Sequence, residues 1–131
     1  TAIKIKTKHL NTILIGTYRS PDPKTEEIFL NKLGCLLQQY TSPRNRIVIL
    51  GDTNFNILKP EEQSIKNLTN LLSSHGCRIC HIPITRQTPT SATSVDGCYT
   101  NIQDEEIQVR AFKNVISDHH FLICRINQRT P

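Results

Sequence analysis

The feature that most constrains this chain is the apolar run Arg46-Ile47-Val48-Ile49-Leu50, followed at once by Gly51-Asp52-Thr53-Asn54. Its length and β-branched content are those of a buried strand. A second segment has the same character: Ser117-Asp118-His119 follows Phe112-Lys113-Asn114-Val115-Ile116 and precedes Phe121-Leu122-Ile123-Cys124. Acid-bearing loops at the ends of core strands are how a rigid sheet presents reactive groups, so the pattern points to an enzyme-type site.

Two amphipathic helices separate the strand patterns. Phe29, Leu33, Leu36, Leu37 and Tyr40 recur at helical spacing and predict a helix over Thr25 to Tyr40, with Thr25 as its N-cap and Glu26 and Glu27 in the first turn. Ile65, Leu68, Leu71 and Leu72 predict a second helix over about Pro60 to Ser74, with Gly76 as its stop. Strands are expected over Thr1 to Lys8, Thr12 to Thr17, Ser94 to Tyr99, Val109 to Ile116 and Phe121 to Ile126, and Arg19 to Pro23 reads as a loop. Strands alternating with helices make the class α/β.

At 131 residues the chain is one domain or less. Apolar residues make up 37% and charged residues 21%, too hydrophobic a balance for disorder. No apolar run approaches the roughly 20 residues that span a bilayer. The start has neither a signal peptide nor an initiator methionine, so the chain reads as cut there. The net charge of +5 favours a polyanionic partner only modestly, because it is spread along the chain. Cys35, Cys77, Cys80, Cys98 and Cys124 are odd in number and lack a secreted-domain spacing, which is the expectation for reduced thiols inside a cell.

Singly, the polar candidates have ordinary explanations. Asp52 with Asn54, and Asp96 with Gly97, are common turn residues, and Thr85 is a normal strand residue. Their order is more specific. Tyr18-Arg19-Ser20-Pro21, Ile49-Leu50-Gly51-Asp52-Thr53-Asn54, Pro83-Ile84-Thr85-Arg86, Ser94-Val95-Asp96 and Ile116-Ser117-Asp118-His119 together resemble the endonuclease/exonuclease/phosphatase superfamily. The nearest branch is the endonuclease domain of non-long-terminal-repeat retrotransposons.

That resemblance implies a four-layer α/β sandwich of the deoxyribonuclease I type, with residues 1–131 as a partial domain whose first half is missing. It implies that Asp52 handles the nucleophilic water and that Asn54 holds a phosphate oxygen, the two sharing one side of an extended segment. His119 would donate to the scissile phosphate, with Asp96 orienting its ring. Tyr18 would touch the phosphate, Thr85, Arg19 and Ser117 would line the substrate, and Asp118 would lie near the metal. Mg²⁺, or Mn²⁺, would act as Lewis acid in the hydrolysis of a DNA phosphodiester. The implied setting is a polyprotein with a reverse transcriptase, intracellular and nuclear when acting, with no membrane contact.

The departures are as informative. Family members carry an Asn and a metal-binding Glu before the equivalent of Thr1, and residues 1–17 contain no Asp or Glu. Loss of a charged oxygen ligand weakens a hard cation's site, so the alternative is a non-catalytic nucleic-acid-binding or interaction remnant. Phosphomonoester or phosphoinositide hydrolysis is a third reading, disfavoured by the loop motifs. Gly97 stands where a bulkier residue is usual and is expected to loosen its strand. Cys77-Arg78-Ile79-Cys80-His81 matches a haem-attachment pattern literally, but the chain has no methionine for an axial ligand, and a zinc site there lacks a second ligand pair. Buried thiols are the expectation.

Overall fold

The computed structural model describes residues 2–6, 11–20, 22–55, 61–80, 96–113 and 120–126. In chain order these form β1 (Ala2–Lys6), β2 (Asn11–Tyr18), α1 (Thr25–Tyr40), β3 (Asn45–Asp52), α2 (Gln63–Ser73), β4 (Arg78–Ile79), β5 (Asp96–Thr100), a 3₁₀ turn (Asp104–Glu106), β6 (Ile107–Lys113) and β7 (His120–Ile126). β1 to β5 make one sheet in the order β1-β2-β3-β5-β4, and β6 and β7 make a second, antiparallel sheet. Among the described strands only β2 and β3 pair in parallel, because α1 carries the chain back between them; the other described pairs are antiparallel.

Pleat alternation divides the core in two. On one face of the large sheet Ile13, Ile15, Ile47, Ile49 and Tyr99 pack against Leu33 and Leu37 of α1 and Ile65, Leu68 and Leu72 of α2. The other face offers Val48 and Cys98, which pack with Ile107 and Val109 of the second sheet. The described layers are thus helices, large sheet, small sheet. Because β3 is covered on both faces, Ile47, Val48 and Ile49 are all fully buried, as the continuous apolar run requires.

The far end of β3 is fixed by side-chain bonds to backbone. Asn101 Oδ1 accepts from Ile47 N–H at 2.7 Å and its Nδ2 donates to Asn45 O at 3.0 Å, while Thr100 Oγ1 donates to Ile47 O at 2.6 Å. Asn45 Nδ2 donates to Tyr40 O at 2.7 Å and so joins the end of α1 to the start of β3.

Several local expectations change. Thr25 is not the N-cap of α1. Lys24 holds that position, and the Thr25 hydroxyl turns back to donate to Ser20 O and Asp22 O at 3.0 and 2.7 Å. α2 begins at Gln63, later than about Pro60, with residue 60 itself outside the described residues. β3 runs on through Asp52, so this aspartate closes a strand and does not stand in a loop. Gly76 does end the α2 segment, at φ +73°, a conformation that costs glycine little.

Gly97 makes room for the side chain of Tyr99, two residues on. A Cβ there would lie 2.9 Å from the Tyr99 hydroxyl and 3.1 Å from its ring, so the absent side chain is the space the Tyr99 ring occupies. Asp96 and Gly97 lie within a strand, not a turn. No helix among the described residues is long and apolar enough to cross a membrane.

Candidate active site

Three of the candidate residues are brought together by strand register alone. Tyr18 ends β2 opposite Asp52, which ends β3, and Asp52 is in turn opposite Asp96, which begins β5. The row crosses three adjacent strands at one end of the large sheet, with neighbours about 4.8 Å apart in backbone spacing. Tyr18 projects into solvent at 69% exposure, the highest among the large apolar or aromatic residues described, whereas Asp52 is half-buried. Gly51 allows the close approach of β2 at this row, since a Cβ on it would fall 1.8 Å from the Thr17 carbonyl oxygen.

The segment after Asp52 leaves the sheet. Asn54 has φ +55°, a left-handed conformation that Asn tolerates better than most residues. The expectation that Asp52 and Asn54 share a side of an extended segment therefore fails, because the strand ends at Asp52. Asn54 is placed instead by Arg19. The Arg19 N–H donates to Asp52 O at 2.9 Å, and its side chain donates from Nε to Thr53 O at 2.6 Å and from Nη2 to Asn54 O at 2.9 Å. Asn54 Nδ2 returns a bond to Arg19 O at 2.5 Å.

The Arg19 guanidinium also lies over the Phe55 ring, 4.4 Å from its centroid, and Phe55 is buried beneath it. Arg19 itself is only 7% exposed. Its assignment to substrate contact is thereby corrected: the carbonyls of the Asp52 turn and an aromatic ring draw the guanidinium inward, where it holds the turn. Beside it, the Thr53 and Tyr99 hydroxyls share a buried bond of 2.6 Å. Burial pushes the Tyr99 hydroxyl up to about 12, against the opposing effect of the Thr53 bond.

Thr85, Ser117, Asp118 and His119 lie outside the described residues, and of Asp96 the strand position is described. Among the described residues no group of three His, Cys, Asp or Glu side chains comes together as a metal site. The described part therefore makes no protein cage for a divalent ion. Magnesium is often held by one or two carboxylates completed by water and substrate phosphate, which is all that the Asp52 end of the sheet could contribute.

The overall arrangement matches known structures. The chain superposes on the endonuclease domain of TRAS1, a telomere-specific non-LTR retrotransposon, with a TM-score of 0.73 and 18% identity over 98% of this chain and 64% of that one. This likeness fixes the fold of the chain. It is a deoxyribonuclease I-like α/β fold. Within it, the beta toxin of Staphylococcus aureus aligns at a TM-score of 0.62 and 14% identity over 97% of this chain and 56% of the toxin. The human Nocturnin catalytic domain, with bound sulfate anion, aligns at 0.55 and 19% over 94% of this chain and 49% of that domain. The chain spans less than two thirds of each of these structures. No protein-family model and no curated protein matches the sequence.

Sequence reasoning missed the Arg19 clamp, Phe55 and the Thr53–Tyr99 pair. The available signal for the last was Gly97 two residues before Tyr99: a glycine and an aromatic on the same face of a strand leave room for the ring to lean along it.

Proposed function

We propose that this chain carries part of the site of a metal-dependent phosphodiesterase, a DNA-nicking endonuclease of the retrotransposon type. The observation that supports this most directly is the row Tyr18, Asp52 and Asp96 across three adjacent strand ends, on a nuclease-like fold. Asp52 would take the proton of the attacking water. Asn54 would bind a phosphate oxygen through the amide hydrogen not given to Arg19 O. Tyr18 offers an exposed hydroxyl to the phosphate. His119, oriented by Asp96, would donate to the phosphate as negative charge develops, with Thr85 and Ser117 beside the substrate. Mg²⁺ or Mn²⁺, with Asp118 as a ligand, would supply Lewis-acid activation. DNA is the proposed partner, in a polyprotein with a reverse transcriptase and a nuclear place of action.

Nicking of supercoiled plasmid with and without Mg²⁺, by this chain joined to a first half that supplies the Asn and the metal-binding Glu, tests this reading. The expected result is Mg²⁺-dependent nicking that Asp52→Ala reduces by about 100-fold or more, the scale of losing a general base. Equal nicking by Asp52→Ala and the parent would overturn the site assignment. The incomplete metal set among the described residues, with the +5 charge, favours one second reading, a non-catalytic DNA-binding remnant. Salt-sensitive DNA binding without any Mg²⁺-dependent nicking would decide for it.

A further inference from the structure

Away from the strand-end row, three thiols meet where the two sheets face each other. β4 and β5 pair with Arg78 opposite Thr100 and Ile79 opposite Tyr99. The same register carried one residue further sets Cys80 opposite Cys98, and the Cys80 N–H donates to Cys98 O at 2.8 Å. Residues paired in this way keep Cα atoms about 5.5 Å apart, within the range of about 4.4–6.8 Å that a disulfide spans. Cys124 reaches the same apolar cluster from β7, where it lies opposite Val109. Cys80 and Cys98 thus share one buried cluster, and Cys124 packs against it from the facing sheet. Cys98 is fully buried, Cys80 nearly so, and Cys124 partly open to solvent. All three are reduced.

We propose that Cys124, Cys98 and Cys80 form a peroxide-responsive thiol relay whose end product is a Cys80–Cys98 disulfide. The Cys124 thiolate attacks one oxygen of hydrogen peroxide. The O–O bond breaks, Cys124 becomes the sulfenic acid, and hydroxide leaves. Hydroxide takes the Cys98 proton, and the Cys98 sulfur attacks the Cys124 sulfur. The S–O bond breaks, the proton that Cys124 released on ionising joins the departing hydroxide as water, and a Cys98–Cys124 disulfide forms. The Cys80 sulfur then attacks the Cys98 sulfur and expels Cys124, which takes up the proton that Cys80 has lost. The sum is two thiols and one peroxide giving one disulfide and two waters.

Geometry sets the direction of the relay. Facing sheets lie about 10 Å apart, so a Cys98–Cys124 bond must draw two layers together, whereas Cys80 and Cys98 are already neighbours in one sheet. Protonation agrees with that order. The contact with its two neighbours raises the Cys98 thiol, and burial adds to this. The contact with Cys98 lowers Cys80 and Cys124, a shift in the direction that favours attack. The disulfide would close the base of the segment 81–97, which carries Thr85 and Asp96, so oxidation would constrain the strand opposite Asp52. The relay stands independently of the nuclease reading.

The test uses the chain with Cys35→Ser, which removes an exposed thiol. After hydrogen peroxide, alkylation and digestion, mass spectrometry should find a Cys80–Cys98 linked peptide that dithiothreitol releases. Cys124→Ser should reach the same bond about tenfold or more slowly. Cys98→Ser should form none and leave a dimedone-reactive Cys124. If that variant does not fold, Cys80→Ser serves instead and should accumulate the Cys98–Cys124 peptide. Full alkylation of Cys80, Cys98 and Cys124 after peroxide, a different final linkage, or an undiminished rate in Cys124→Ser would each overturn the proposal.

Discussion

Arg19 shows how one side chain can set the shape of a site without facing it. Its guanidinium satisfies the carbonyls of Thr53 and Asn54 and rests on Phe55, so three consecutive residues of the turn depend on it. Arg19→Ala leaves two carbonyl oxygens without their donor and removes a cation–π contact, and is expected to cost about 2–4 kcal/mol. Arg19→Lys should recover only part, because one ammonium cannot serve both carbonyls in the guanidinium's fork geometry. Urea unfolding of the two variants measures this, and equal midpoints for Arg19→Ala and the parent would show the clamp to be unimportant. The sequence displayed Tyr18, Asp52 and Asn54 as candidates, because polar residues at the end of an apolar strand stand out. It could not show which way Arg19 turns, since that depends on carbonyls more than thirty positions away.

At the scale of elements, periodicity located nearly everything described. α1 occupies the expected Thr25–Tyr40, because its apolar positions repeat at helical spacing and form the face that meets the sheet. Boundaries depended on bonds that periodicity does not encode, as with the start of α2 and the extension of β3 to Asp52. The pairing of β2 with β3 carries the strand-end row, and Gly51 is its tightest point. Gly51→Ala would place a methyl against the Thr17 carbonyl, and relief requires β2 and β3 to separate where Tyr18 meets Asp52. The expected cost is about 3 kcal/mol or more, beyond ordinary overpacking, with any nicking activity lost alongside. Hydrogen exchange should show earlier opening of β2 and β3 at this end than at the Asn45 end.

For the whole molecule, the two-sided burial of the large sheet has a consequence at alkaline pH. Tyr99 is held at about 12 in the folded chain, against about 10 when unfolded. Between those values the unfolded chain has released a proton that the folded chain keeps, so stability falls as pH rises. The contribution is complete below about pH 10 and is lost by about pH 12, on the order of 3 kcal/mol in all. Cys77, pushed up from 9.0 to about 11 by burial, acts in the same direction over its own, lower window between those two values. Urea midpoints at pH 8, 10 and 11 should therefore decline, and Tyr99→Phe should decline less steeply; an identical slope would mean that Tyr99 does not carry the effect.

By itself the sequence determined the α/β class, the helices and the polar residues worth watching, because local periodicity and composition encode secondary structure and burial. Only the tertiary structure decided that Tyr18, Asp52 and Asp96 form one row and that Cys80, Cys98 and Cys124 share one apolar cluster. It also decided that Gly97 makes room for the Tyr99 ring. Those facts follow from register between strands far apart in the chain, which hydrogen bonding and packing fix and local spacing does not.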